Sequence, residues 1–409
     1  MARDEQRQRR RRLATAGLTA TMVAGSLALG SGSASAAGRV DLAEPTFSDP
    51  TSITNPLFPI SELTQVLQLG EEAGEALRHE ITLLEDTKTI EWNGQRVETL
   101  VSQFVAYGDG RILEAATDYF AQADDGSVWY FGEDVDNYED GVIANHEGTW
   151  LAGRDGPPGM IMPADPQVGD VFRPENIPGL VFEEVTVKSV GDTVPGPRGP
   201  VPGALLVQER LLDGTLEDKV YAPGYGEFQA RVRTEDELVT VALGVPTDAL
   251  EGDVPDPLSA LSSRAARIFK AAPRGDWDRV SALHDRLATT WEEYRGGEVP
   301  DLLGAEVDDA VDTLAAAVEA RDAGEVAQAA LDLSELALDL QLQYRDPSEV
   351  DEDRLGVWRR QLRLDRATGD AAGVAGDRAT VELIKDRIAD DDERDDDDGD
   401  DDDERDDDD

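Results

Sequence analysis

The chain is predicted to be an α+β protein of two domains: an antiparallel β-sheet, either a curved sheet or a half-barrel, then an all-α helical bundle and a disordered acidic tail. Three observations carry that expectation. Turn dipeptides divide the first part into short apolar runs, the apolar spacing turns from strand-like to helical near residue 250, and residues 390–409 hold seventeen carboxylates against two arginines. A segment of that last composition has no apolar surface to offset its ordering entropy, and its charges repel one another.

The turns fall at Asp109-Gly110, Asp125-Gly126, Asp140-Gly141 and Asp213-Gly214, where glycine accepts the positive φ of a tight hairpin. Around them, strands are predicted over residues 79–85, 96–107, 112–122, 128–132, 142–148, 182–190, 204–212, 217–222 and 226–234. The run Val128-Trp129-Tyr130-Phe131 alternates poorly, which suits a strand covered on both faces. Residues 191–203, rich in Pro and Gly, read as a loop joining two strands, and residues 61–75 read as more helix-like than strand-like.

Beyond residue 257 the apolar positions advance by three and four: Trp277, Val280, Leu283, Leu287, Trp291 and Tyr294, then Val326, Ala329, Ala330, Leu333, Leu336, Ala337 and Leu340. Further helices fit residues 258–271, 307–318, 353–367 and 374–388, with Gly296-Gly297, Gly324, Pro347 and Gly369 as breakers. Each apolar stripe needs a neighbour to cover it, so these helices form a bundle. The Pro and acidic residues of 244–257 suit an exposed connector.

The amino end reads as an export signal. Arg7 and Arg9 to Arg12 precede an uncharged apolar run over residues 13–29, and Ala34-Ser35-Ala36 supplies an A-x-A cleavage site. Arg10, Arg11 and Leu13 also resemble a twin-arginine signal, so both export routes stay open. A retained anchor is disfavoured because Gly, Ser, Thr and Ala make a weak spanning helix, and no transmembrane anchor is expected after cleavage. The organisation predicted is a signal peptide over 1–36, a flexible N-terminus over 37–45 and a mainly-β domain over 46–243. A linker over 244–257, a helical bundle over 258–389 and the tail over 390–409 complete a secreted or extracytoplasmic protein.

Composition excludes several functions. The net charge is -50, and setting aside the tail's -15 still leaves -35, so no basic footprint exists for nucleic acid or an anionic membrane. With no cysteine, thiol catalysis, iron–sulfur clusters and thiolate zinc sites are ruled out. Only His79, His146 and His284 offer imidazole, and they are far apart in sequence. No nucleophile elbow, Walker loop, dinucleotide fingerprint or H-E-x-x-H helix is present.

The strings FSDPTSITNPLFPI (47–60), GSVWYFGED (126–134), GMIMPADPQVGDVFR (159–173) and KVYAPGYGEF (219–228) resemble a family of uncharacterised secreted proteins common in actinobacteria and found in some other bacteria. The resemblance spans roughly residues 45–235 with the strings in the family's order, and it implies an exported, mainly-β module of unknown activity. It supplies no catalytic residues. After Ile60 the chain departs from the family's pattern, and the helical region shows no such resemblance.

Three groups of residues are candidate sites. Glu133, Asp134, Asp136, Glu139 and Asp140 crowd one predicted turn and offer oxygen ligands to calcium, although Tyr138 stands where another ligand belongs and a solvated turn is the simpler reading. Trp129, Phe131, Tyr138 and Trp150 gather, with Tyr130, around one hairpin as ligand-binding aromatics or as core. His284, Asp365 and Asp377 fall on the apolar arcs of their helices, as metal ligands or as ion pairs at the core margin. The preferred function is a non-catalytic secreted or envelope protein that binds a ligand or partner. A weak calcium or cation binder, and a carboxylate- or metal-dependent hydrolase, are the alternatives. No cofactor is expected beyond calcium, and cations or basic polymers are the partners that suit the tail.

Overall fold

A computed structural model describes residues 38 to 397, with side chains to Ile388. The predicted signal peptide and the end of the tail lie outside the described residues. An antiparallel sheet of fourteen strands is followed by six helices, so the chain is α+β. The strands are β1 (Gln65–Glu72), β2 (Glu75–Trp92), β3 (Gln95–Gly108), β4 (Arg111–Gln122), β5 (Val128–Glu139), β6 (Val142–Asn145) and β7 (Trp150–Leu151). They continue as β8 (Gly159–Met162), β9 (Val171–Ile177), β10 (Val181–Gly196), β11 (Gly199–Leu211), β12 (Leu216–Ala222), β13 (Gly226–Val232) and β14 (Glu237–Val245).

Two meanders make up the sheet. One runs from β6 back to β1, the other from β14 back to β9, and they join where β14 pairs with β1. The short strands β7 and β8 pair with β5. Gly159 of β8 in turn lies against β9, where a Cβ would fall 1.8 Å from the Pro174 carbonyl. The sheet remains open by hydrogen bonding, yet β8 brings its two ends together, and the inner face is enclosed.

Four stretches differ from expectation. Residues 61–75 were expected to be helix-like but contain β1, the strand at the junction of the meanders. Gln65, Val66, Leu67 and Gln68 are all buried there, Leu67 beneath the helices and Val66 toward the inner face. A strand covered on both faces loses its alternation, which is why the helical spacing of its apolar residues misleads. Residues 191–203 are not a loop: β10 and β11 extend as one long hairpin, tolerating Gly and Pro through register shifts. Its tip reaches the helices, where Asp301 N–H donates to the Pro197 carbonyl and Arg198 pairs with Glu298 at 3.3 Å. The expected linker begins inside β14, and buried Asp248 accepts from the Tyr225 hydroxyl at 2.9 Å and the Gly244 amide at 3.0 Å. At the amino end Arg39 bridges to Val171 of β9, so this part of the expected flexible lead-in is seated on the sheet.

The helices are α1 (Asp256–Ala271), α2 (Trp277–Tyr294), α3 (Asp301–Ala320), α4 (Ala323–Gln341), α5 (Pro347–Thr368) and α6 (Ala371–Asp397). Asp276 caps α2 and Asp322 caps α4 by accepting first-turn amides, and α5 stops at Gly369, whose φ is 79°. The backbone of α6 carries the first residues of the acidic segment as helix, to Asp397. Sheet and helices share a core in which Leu67, Leu243 and Val245 meet Leu258, Leu261, Leu340 and Val350.

Charge also joins the two parts. Arg354, 1% exposed, meets Asp339 at 2.7 Å and Asp351 at 3.0 Å, while Arg387 reaches Asp351 at 2.9 Å and Glu80 of β2 at 3.2 Å. Arg78 of β2 completes the circuit on Asp339 at 2.7 Å and Glu80 at 2.8 Å. Burial alone would raise the Glu80 carboxyl, but Arg78, Arg354 and Arg387 overcome it and hold it well below the ordinary carboxylate value. Such a network contributes less to net stability than its contacts suggest, yet breaking it strands a buried charge. Arg354→Leu is therefore expected to lower the unfolding free energy by about 3–5 kcal/mol in a urea titration. A loss below about 1 kcal/mol would show that the network is dispensable.

Candidate functional site

The inner face of the sheet carries an unusual burden of acid. Strand alternation points Asp118, Glu133, Glu175, Glu183, Glu209, Glu217 and Glu227 into it, with Lys219 as the cation set against them. Register explains the convergence: Asp118 stands opposite Glu133, Glu183 opposite Glu175, Glu209 opposite Glu217, and Glu227 opposite Tyr221. Asp118 also senses Glu175 and Glu227, from strands far off in the sheet order, because the curled sheet turns its halves toward one another.

A bulge in β5 makes one side of this site. Phe120 faces Tyr130 and Tyr119 faces Gly132, leaving Phe131 as the extra residue, so Tyr130 and Glu133 come to the same side although three apart. Gly132 is required at the shift: its φ is 122°, and a Cβ would lie 2.3 Å from the Trp150 carbonyl. Trp150 pairs opposite Glu133 and donates its indole N–H to Glu175 Oε1 at 2.7 Å. Tyr130 meets Trp150 edge-on at 5.4 Å and donates its hydroxyl to Asp118 Oδ1 at 2.6 Å.

So many carboxyls cannot all ionise here. Burial, reinforced by Glu114, Glu175 and Glu227 and opposed by the Tyr130 hydrogen bond, pushes Asp118 up to about 7. Burial with Asp118 and Glu175 raises Glu133 well above the usual range, and burial likewise raises Glu175 although the Trp150 indole N–H opposes it. Burial with Glu209 and Glu175 raises Glu183 strongly despite Lys219. Lys219 keeps its charge: burial opposes it, but Glu209 at 2.7 Å, Glu227 at 3.4 Å and Glu217 at 3.6 Å outweigh that cost.

Asp118, Glu133 and Glu183 are only half-buried by surface area, although protein surrounds them. Glu183 accepts no hydrogen bond from any described residue; its neighbours act on it through charge alone. Of the four strings quoted from the sequence, the second supplies Glu133 and the fourth supplies Lys219, Tyr221 and Glu227 to this interior.

The sequence-predicted residues distribute unevenly. Glu133 and Trp150 belong to the interior. Trp129 and Phe131 are core, Trp129 donating to Ser127 Oγ at 2.8 Å and Phe131 packing on Phe47 at 5.4 Å. Tyr138 packs under the helices beside Val105 and Trp358. The expected acidic turn is mostly a strand, so its residues separate. Glu133 faces inward, Asp134 binds Tyr119 and Lys88 at 2.7 and 3.3 Å, Asp136 meets His146 at 2.8 Å, and Glu139 and Asp140 are exposed at the hairpin end. Asp134, Asp136 and His146 edge an outer cleft of about 520 Å³ that also touches Thr117 and Leu383. Asp365 and Asp377 meet around Arg111, at 3.8 Å for Asp377, and burial with Asp365 pushes Asp377 to about 7. His284 is elsewhere, on α2, which packs with α1 and α3. Among the described residues no three His, Cys, Asp or Glu side chains stand close enough to hold one metal ion. None of the described helices is long and apolar enough to cross a membrane.

The interior dictates an unusual pH response. Folded carboxyls raised above their unfolded values keep protons that the unfolded chain has released between about pH 4 and 7. Their contribution to stability is complete below the unfolded values and is lost as pH rises through the folded ones. The melting temperature should therefore rise by about 3 °C or more from pH 8 to pH 5.5, and Asp118→Asn with Glu183→Gln should flatten that dependence. A melting temperature that falls on this acidification, in calorimetry at constant ionic strength, contradicts the assignment. No protein-family model matches the chain, and searches of curated proteins and of solved structures return no match.

Proposed function

We propose that the chain is an exported, non-catalytic binding protein that takes a small polar ligand into the interior of its β-sheet. The observation that carries this reading is the set of enclosed, half-accessible carboxyls on the inner face, above all Glu183, which lacks a hydrogen-bond donor. A buried polar group without a partner costs on the order of 1–3 kcal/mol, so an interior serving only as packing would carry apolar residues there. The exported setting is supported by the arginine-rich opening and the A-x-A site, and the helices brace the sheet from outside.

A second reading has its own support. Glu133 and Glu175 are neighbouring carboxyls, both raised by burial, and such pairs act as acid and base in hydrolysis. Binding is preferred because Trp150 and Tyr130 crowd this pair without providing a nucleophile or an oxyanion site.

Native mass spectrometry of the protein purified from its own host tests the proposal. The expected result is a stoichiometric small molecule that is retained by the wild type and lost from Glu183→Leu. A ligand-free wild type that also binds nothing from a broad metabolite library would overturn it. Turnover abolished by Glu133→Gln with binding intact would favour the hydrolytic reading instead.

A further inference from the structure

We propose that the outer cleft beside α6 is a separate binding site and that its ligand is a mono- or disaccharide. The cleft lies on the opposite face of the sheet from the interior acids and stands independently of them.

Strand register builds its floor. Gln103 of β3 stands opposite Thr117 of β4, and Thr117 opposite Asp134 of β5, so one row of polar side chains crosses three strands on the outer face. In the next row Ala115 lies between Val105 and Asp136, and its single methyl leaves a depression. Leu383 of α6, with His146 and Thr149 from the segment between β6 and β7, completes the walls. The volume, about 520 Å³, falls within the ~300–1,000 Å³ usual for small-molecule sites.

The polar atoms are already arranged. Gln103 is only 5% exposed, and the buried Arg387 donates to its Oε1 at 3.3 Å. That contact fixes the amide and leaves Nε2 as a donor at the cleft, without a hydrogen-bond partner among the described residues. His146 Nδ1 lies 2.8 Å from Asp136 Oδ1 and 2.9 Å from the Val135 carbonyl, so it carries the proton of the neutral ring and Nε2 is left to accept. Asp134 receives the Tyr119 hydroxyl at 2.7 Å and Lys88 at 3.3 Å, both on Oδ2, which leaves Oδ1 open.

These groups select the ligand. The Gln103 amide needs an acceptor, whereas Asp134, Asp136 and His146 need donors. A hydroxyl is both at once, and vicinal hydroxyls answer two groups together. An anion would meet the aspartates, and an alkylamine would leave the Gln103 donor unanswered. A metal ion is unsuited, because among the described residues no three His, Cys, Asp or Glu side chains approach closely enough to share one. Ala115, Val135 and Leu383 offer apolar surface to the C–H face of a sugar ring.

Titration calorimetry of the protein with methyl α-D-glucoside, N-acetylglucosamine, maltose and cellobiose tests this, with n-butylammonium and inorganic phosphate as controls. The expected result is saturable binding of at least one of these saccharides at a single site, with no response to the controls. Gln103→Leu and Asp136→Ala should each weaken it at least about tenfold. Leu383→Trp, which fills the cleft without touching its polar atoms, should abolish it, and this variant decides the outcome if loss of Gln103 beside Arg387 prevents folding. Glu183→Leu should leave saccharide binding unchanged, since that residue belongs to the inner face. Binding that survives Leu383→Trp, or that is lost in Glu183→Leu, would assign the sugar elsewhere and overturn the inference. Failure of every saccharide to bind, whatever the controls do, would overturn it as well.

Discussion

A carboxylate removed from water must find a cation, a hydrogen-bond donor or a proton, and this protein meets that constraint in opposite ways on the two faces of one sheet. On the outer face, the almost wholly buried Glu80, Asp339 and Asp351 find Arg78, Arg354 and Arg387, and these arginines hold Glu80 well below the ordinary carboxylate value. On the inner face, Asp118, Glu133, Glu175 and Glu183 find Lys219 only at a distance and hold protons instead. The first solution yields a fixed joint between sheet and helices. The second leaves a polar interior short of positive charge.

The two solutions depend on each other. Arginines on α5 and α6 can neutralise Glu80 only because the helices lie against β2 and β3, and the apolar contacts of Leu67, Leu243 and Val245 hold them there. A sheet braced in this way on its outer face can keep poorly neutralised acids on an inner face that is otherwise packed by Val185, Val187, Leu205 and Val207. Proteins commonly accept such local cost at sites that bind, because a preformed and poorly satisfied pocket gains most when its ligand arrives.

Much of the architecture could be read from the residues. Asp-Gly turns marked the hairpins, and the spacing of Trp277 to Tyr294 and Val326 to Leu340 marked helices that the structure contains. What resisted reading was context. β1 is covered on both faces, so its pattern lost the period of a strand, and the Gly-Pro hairpin of β10 and β11 is held by bulges that composition alone does not reveal. The interior was legible in principle through parity. Glu183 shares its side of β10 with Val181, Val185 and Val187, and Glu209 shares its side of β11 with Leu205 and Val207. An acid at an apolar position of a strand signals an inward charge. The crowded acids after Glu133 do not form one site because a strand sends sequence neighbours to opposite faces.

Near neutral pH the inner carboxyls Asp118, Glu133 and Glu183 should carry protons. Carbon-detected NMR titration of side-chain carboxyls tests it most directly, with Asp118 and Glu183 assigned by substitution. Asp118 should titrate near pH 7 and Glu183 well above the ordinary carboxylate range. Titration of both below about pH 5 would contradict it, because the interior would then be solvated and balanced like an ordinary surface.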